Sequence, residues 1–234
     1  MLESRQITKK YGSKRAVSDF SLKLDVGHIC AMLGPNGSGK TTWMKMAAGL
    51  VKPTSGEMLF DGAPVGVESR RQIAYMSTEP YFYTWMTARD VGKYYADFFE
   101  DFSLERYRDL LHRMELTEDL KVRSLSSGMA AKLKIAATLA RDARVWMLDE
   151  PFNGIDLLAR DQIRGCIVER AGSDRLLLLS SHLVEEMEAL ADRAVYIRDG
   201  ELVEYVDLEQ LRTERGLSMA DLYRQIYAGR EAIA

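Results

Sequence analysis

The sequence predicts an α/β fold, and three observations point to it. Residues 145–148 and 176–179 are continuous apolar runs of strand length, as strands buried on both faces of a parallel sheet must be. Each lies beside a segment of helical periodicity, the arrangement of a wound sheet. A third apolar run, residues 29–33, passes directly into the glycine-rich stretch 34–39 and from there into a helical pattern.

Along the chain, residues 22–24 read as a short strand before 29–33. The helix that follows covers residues 40–50, with Met44, Ala47 and Ala48 spaced for one buried face. Pro53-Thr54-Ser55-Gly56 and Asp61-Gly62 mark turns on either side of a strand at 57–60. From Thr87 to Leu120 the composition shifts to charged and aromatic residues without β-branched runs. Val91, Tyr94, Tyr95, Phe98 and Phe99, then Leu104, Tyr107, Leu111 and Met114, keep helical spacing, so this stretch is an inserted α-helical subdomain. Residues 194–198 and 202–206 flank Asp199-Gly200 as a terminal hairpin, and a short helical tail covers 219–227.

The 234 residues suit one domain with an inserted lobe. A composition of 47% hydrophobic and 29% charged residues can bury a sizeable core. A net charge of −3 gives no electrostatic pull toward nucleic acid or anionic lipid, and no nucleic-acid partner is expected. Cys30 and Cys166 show neither metal-ligand spacing nor a disulfide framework, which fits a reducing compartment. The strongest apolar run is far below the roughly 18–20 residues of a spanning helix. The first residues lack the basic-then-apolar pattern of a signal peptide. Work at a membrane would therefore go through a partner.

Gly34-Pro35-Asn36-Gly37-Ser38-Gly39-Lys40-Thr41 matches G-x-x-x-x-G-K-[ST] at every defined position, between a strand and a helix as the motif requires. Its glycines let backbone N–H groups turn inward around phosphate oxygens, and the helix N-terminus adds positive potential. Lys40 is placed to reach the β- and γ-phosphates and Thr41 to ligate Mg²⁺. The run 145–148 ends in Asp149-Glu150, which delivers two carboxylates to the sheet edge where α/β proteins bind ligands. There Asp149 would hold Mg²⁺ through its water shell, and Glu150 would accept a proton from an attacking water. His182 ends a third core strand at that same edge, placed to touch a γ-phosphate or to orient Glu150. His28 and His112 have no such context and are expected to be structural.

Leu125-Ser126-Ser127-Gly128-Met129 opens a helix-like run and resembles the L-S-G-G-Q signature of the ABC ATPase family. Other segments fall into the same register. Tyr11-Gly12 resembles the aromatic A-loop, and Gly49-Leu50, Pro53 to Gly56 and Gly62 the run after the phosphate loop. Asn153-Gly154-Ile155-Asp156 resembles the D-loop and Ser180-Ser181-His182 the switch histidine. The resemblance spans about residues 2–210. It implies a P-loop NTPase (RecA-like) core sheet with an N-terminal antiparallel β portion, core segments about 1–86 and 141–210, a helical subdomain about 87–140, and a tail at 216–234. It implies ATP and Mg²⁺ as cofactors and ATP hydrolysis as the activity.

In this family two cassettes face each other around two ATP molecules, each site combining one protomer's phosphate loop with the other's signature. Carried onto this chain, nucleotide contacts fall on Tyr11, Gly34, Asn36, Gly37, Ser38, Gly39, Lys40, Thr41 and Thr42, with Ser126 and Gly128 acting across the dimer. Catalysis falls on Lys40, Glu150 and His182, and the metal on Thr41, Asp149 and Thr78. Two features depart from the family pattern. Ser127 and Met129 replace a glycine and the glutamine of the signature, so slower turnover is expected. In Ile73-Ala74-Tyr75-Met76-Ser77-Thr78-Glu79-Pro80 the sensing glutamine of the Q-loop falls on Thr78, reaching the metal through water, with Glu79 expected to point toward the membrane partner.

One cassette of this length matches a transporter subunit. Chromosome and repair members need long coiled coils, and translation factors need two cassettes; a single-cassette ATPase of the iron–sulfur-assembly kind is the alternative. The aromatic stretch 81–102 lies where the family docks its permease, and residues 216–223 resemble the tail of bacterial ABC-2-type export cassettes. The resemblance thus implies a peripheral subunit on the cytoplasmic face of the membrane, paired with a second cassette and a membrane-spanning permease, and acting in export.

Overall fold

In the computed structural model, which describes residues 1–228, β1 (Leu2–Tyr11) and β2 (Lys14–Leu24) form a hairpin. Gly12 in its two-residue turn has a φ of 58°, a left-handed conformation that glycine adopts without strain. After β3 (His28–Leu33) the chain turns through the glycine loop into α1 (Lys40–Ala47). The helix stops short of Leu50 because Gly49, at φ 70°, closes a Schellman motif: Leu50 N–H donates to Lys45 O and Gly49 N–H to Met46 O. Leu50 is consequently left exposed. β4 (Ser55–Phe60) and β5 (Ala63–Pro64) complete an antiparallel sheet in the order β2-β1-β4-β5.

α2 (Val67–Gln72) leads into β6 (Ile73–Met76), and from there the chain enters the helical subdomain. Each of its three α-helices carries a side-chain cap that fixes its start. Thr87 and Asp90 form a capping box on α3 (Ala88–Phe98), Ser103 caps α4 (Leu104–Arg113), and Ser126 caps α5 (Ser127–Leu139). α3 and α4 approach closely at Gly92, where an added Cβ would lie 2.6 Å from the Tyr107 ring. The Tyr107 hydroxyl donates to Ala88 O at 2.7 Å across the same junction.

β7 (Val145–Asp149), α6 (Leu157–Val168), β8 (Leu176–Ser181) and α7 (Val184–Glu188) return the chain to the core. β9 (Arg193–Arg198) and β10 (Glu201–Asp207) form the terminal hairpin, followed by α8 (Leu208–Arg215) and α9 (Met219–Tyr227). Of the tail expected at 216–234, residues 229–234 lie outside the described residues.

The second sheet has the order β10-β9-β3-β8-β7-β6 and is parallel except for its β10 edge. Its interior strands are buried on both faces, which is why their sequences are continuously apolar. Ile29, Ala31, Leu33, Trp146, Leu148, Leu177 and Leu179 face a core shared with the helical subdomain, α6, α7 and α9. The intervening Cys30, Met32, Val145, Met147, Leu176 and Leu178 face α1 and the antiparallel sheet. α1 is clamped between the sheets by Trp43, whose ring lies 6.2 Å from Phe20 and whose indole N–H donates to Ser4 Oγ at 3.3 Å. The parallel strands thereby deliver their carboxyl ends, and the start of α1, to one edge. Among the described residues no helix is long and apolar enough to cross a membrane.

Candidate active site

At that edge a cleft of about 430 Å³ is lined by Tyr11, Asn36 to Thr42, Thr78, Glu150, Asn153 and His182, with Lys14 and Ala16. α1 begins at Gly39, φ 108°, with no side-chain cap, so its first N–H groups remain available to a ligand. A Cβ at Gly39 would meet Ala16 O at 2.7 Å and one at Gly34 would meet Ile197 O at 2.4 Å, so the loop backbone sits too close to its neighbours for any larger residue. Gly37, φ 81°, opens into free space.

Two features of the loop fit an anionic ligand. Ser38 Oγ is buried without a hydrogen-bond partner, a cost that a bound phosphate oxygen would remove. Lys40 is buried and donates to Gly34 O at 2.6 Å and Pro35 O at 3.3 Å, with Glu150 Oε1 3.6 Å away. Burial pulls its ammonium below the usual lysine range, against the carboxylates of Glu150 and Asp149. The lysine is thus held on neutral carbonyls that phosphate oxygens would replace with stronger charged bonds.

The acids are set by the ends of β7 and β8. Asp149 is fully buried; its Oδ1 accepts from Ser180 Oγ at 2.5 Å and its Oδ2 from the Tyr75 hydroxyl at 3.3 Å. Ser180 Oγ also accepts the Glu150 N–H at 3.0 Å. Glu150 takes a φ of 50°, a left-handed conformation that costs a side-chain-bearing residue about 1–2 kcal/mol. Its carboxylate meets Lys40 through Oε1 and His182 Nδ1 through Oε2, the latter at 2.8 Å. Lys40, Glu150 and His182 are therefore one hydrogen-bonded and ionic group. Ser180 and Tyr75, present in the sequence motifs without a role of their own, position Asp149; the parallel register that sets Ser180 beside Asp149 is the signal that finds the first.

A protein-only metal site is absent: among the described residues no three His, Cys, Asp or Glu side chains cluster. Asp149 and the Thr41 hydroxyl suit Mg²⁺, which keeps waters and takes most of its other ligands from nucleotide phosphates. Thr78 lines the cleft beside Glu150. Glu79, the residue expected to point toward a membrane partner, is exposed and pairs with Lys45 of α1 at 2.8 Å.

Ser126 and Gly128 stand apart from this cleft. Ser126 caps α5, accepting the Met129 N–H at 3.2 Å, and is exposed. A Cβ on Gly128 would lie 3.0 Å from Gly154 O, so the start of α5 touches the loop after Glu150 rather than the phosphate loop. Tyr11 lines the rim, half exposed, with Lys9 Nζ 5.1 Å from its ring centroid. His28 pairs with Asp192 at 3.0 Å at the start of β3, far along the strand from its loop end.

The fold and this edge define a P-loop ATPase, with a phosphate loop, a buried aspartate and a glutamate–histidine pair at the ends of neighbouring parallel strands. The family model described as ABC transporter matches residues 17–153, and the chain belongs to that family as an ATP-binding cassette. It is similar to the ABC transporter ATP-binding protein YtrB of Bacillus subtilis, 30% identical over 92% of this chain and 74% of that protein. It is also similar to the lantibiotic transport ATP-binding protein SrtF of Streptococcus pyogenes, 31% identical over 87% and 89%. Among solved structures, the ATP-binding subunit of an ABC transporter superposes with a TM-score of 0.85 at 26% identity, over 97% of this chain and 99% of that one. The dimeric cassette MJ0796 bound to ADP and Pi shares the fold, with a TM-score of 0.79 at 22% identity over 89% and 99%.

Proposed function

We propose that this chain is the ATP-hydrolysing subunit of an exporter, dimerising around two ATP molecules on the cytoplasmic face of the membrane to drive a separate permease. The carrying observation is the division of the site: the phosphate loop, Glu150 and His182 converge in one cleft, with Asp149 buried beside Glu150, while Ser126 and Gly128 lie outside it. A capped but exposed helix N-terminus with a serine hydroxyl and a close-packed glycine suits a γ-phosphate arriving from a second copy.

In this reading Tyr11 stacks on the base, and the amides of residues 36–42 take the phosphates. Lys40 leaves Gly34 O and Pro35 O for phosphate oxygens. Asp149, Thr41 and Thr78 would hold Mg²⁺, which supplies charge neutralisation between the β- and γ-phosphates. Glu150 accepts the proton of the attacking water, and His182, already on Oε2, orients it. The left-handed turn at Glu150 aims its carboxylate into the cleft instead of continuing along β7.

Permease docking falls to the aromatic stretch where Tyr83, Trp85 and Phe98 are exposed, and to the groove lined by Leu50, Arg70, Tyr95, Phe99 and Arg141. Large apolar side chains exposed this fully suit an interaction surface. Transport as the work performed is supported by the relatives, and outward direction by the resemblance of residues 216–223 to export cassettes. The test pairs two variants. Lys40→Ala loses ATP binding, whereas Glu150→Gln binds ATP and accumulates as an ATP-bound dimer in size-exclusion chromatography. A Glu150→Gln protein that stays monomeric with Mg·ATP, or hydrolyses it at the wild-type rate, overturns the reading.

A further inference from the structure

Lys134 lies in the middle of α5 within the buried stretch Leu133 to Leu139, and is itself only 9% exposed. A buried ammonium costs free energy that a methionine of similar length would not. What it touches accounts for its place. Lys134 Nζ donates to Ser77 O at 2.8 Å and to Thr78 O at 2.9 Å, and stands 5.7 Å from the centroid of the Tyr81 ring. These are carbonyls of the loop that follows β6, where no sheet partner is available to satisfy them. Burial draws the ammonium below the ordinary lysine range, opposed by the charge of Asp149.

The surroundings give this contact leverage. A half-open hollow of about 450 Å³ lies beside the first turns of α5, lined by Thr78, Ser127, Ala130, Lys134, Glu150 and Asn153 among others. On one side of this hollow, Gly128 rests against Gly154 O; on the other, Lys134 grips the loop at residues 77 and 78. Thr78 lines both this cavity and the nucleotide cleft. Lys134 thus ties α5 directly to the backbone of the residue that lines the nucleotide cleft.

We propose that Lys134 is a positioning residue for ATP hydrolysis: by holding the Ser77 and Thr78 carbonyls from the signature helix, it places Thr78 in the cleft and makes that placement follow the movement of α5. The inference rests on the dimeric reading above, in which the start of α5 serves the partner's nucleotide. Lys134 then links each protomer's own site to the one it completes across the dimer. The short threonine, which lacks the reach of a glutamine amide, depends on the backbone being held in place, and Lys134 supplies that hold.

The test uses the full chain with Lys134→Met and Lys134→Arg. Without nucleotide, the Met substitution speeds amide hydrogen exchange across residues 77–82 by about tenfold while the exchange of β7 and β8 is unchanged. In steady state it lowers kcat about tenfold, changes KM for ATP less than about threefold, and brings the Hill coefficient for ATP toward one. Lys134→Arg, which keeps the charge and the donors, recovers most of each change. Should the Met variant fold poorly, Lys134→Gln serves in the same comparison. Wild-type exchange and cooperativity in Lys134→Met, or an Arg variant as impaired as the Met one, overturns the inference. The ATP-bound dimer of Glu150→Gln is the control. Its absence refutes the dimeric reading itself; its presence with a silent Lys134→Met refutes only the role of Lys134.

Discussion

Removing the Ser180 hydroxyl isolates what holds the buried aspartate in place. In Ser180→Ala, Asp149 loses the 2.5 Å bond to Oδ1 and keeps only the longer one from Tyr75, while the Glu150 N–H loses its acceptor. Because Asp149 is fully buried, the charged bond is worth about 2 kcal/mol and the amide about 1 kcal/mol more. A loss near 3 kcal/mol lowers the melting temperature of a chain this size by about 6–12 °C. The decisive assay is a double-mutant cycle by urea denaturation with Asp149→Asn. Against the neutral amide, Ser180→Ala still strands the Glu150 N–H and loses an uncharged bond, together about 2 kcal/mol, so the two changes couple by about 1 kcal/mol. A Ser180→Ala loss under about 0.5 kcal/mol, or additive changes, refutes the claim that this hydroxyl stabilises a buried charge.

Mixing Lys40→Ala with Ser126→Arg protomers, each inactive alone, restores ATPase activity through the one intact composite site of the mixed dimer, and activity per mole rises with protein concentration; a mixture that stays inactive counts against a shared site. Gly92→Ala forces a methyl group to within 2.6 Å of the Tyr107 ring and destabilises the helical subdomain by about 1–3 kcal/mol, read by chemical denaturation. Asp90, held below the usual carboxylate range by the Thr87 amide and hydroxyl, stabilises the start of α3 only while ionised. Its contribution is complete above about pH 4, the unfolded value, and fades as pH falls through the lower native value. Wild type and Asp90→Asn therefore differ in melting temperature at neutral pH and converge in strong acid; a constant gap contradicts this.

The parts of the site that are local in the chain were legible in the sequence. Gly34 to Thr41 and Asp149-Glu150 carry their chemistry in consecutive residues, and the interior strands announce themselves because both faces are buried. What depends on pairing was not. Ser180 supports Asp149 only because β7 and β8 run parallel in a particular register, and Tyr75 because β6 lies beside β7. β1 escaped periodicity reading because its pairing shifts register between Ser4 and Ile7, and Gln6 turns left-handed at φ 48°. α8 buries only Leu208 and Leu211, too few for a pattern. The surroundings of Thr78 and Glu79 were likewise not legible, because they depend on two lysines distant in sequence, Lys134 bonding the Thr78 carbonyl and Lys45 pairing with Glu79.

The Tyr227 hydroxyl donates to Ile197 O at 2.7 Å and to Leu33 O at 3.4 Å, bonding the carbonyl just before Gly34. The strand that carries the phosphate loop also pairs on both sides with segments made much later, residues 176–181 and 193–196. During synthesis, then, the loop emerges early and waits. Its flanking strands and its tyrosine brace arrive only after most of the remaining chain has been translated, a long-range order of assembly that slows folding. The consecutive residues 34–41 thus carry the motif, while the strands that hold their loop in shape come from the last third of the sequence.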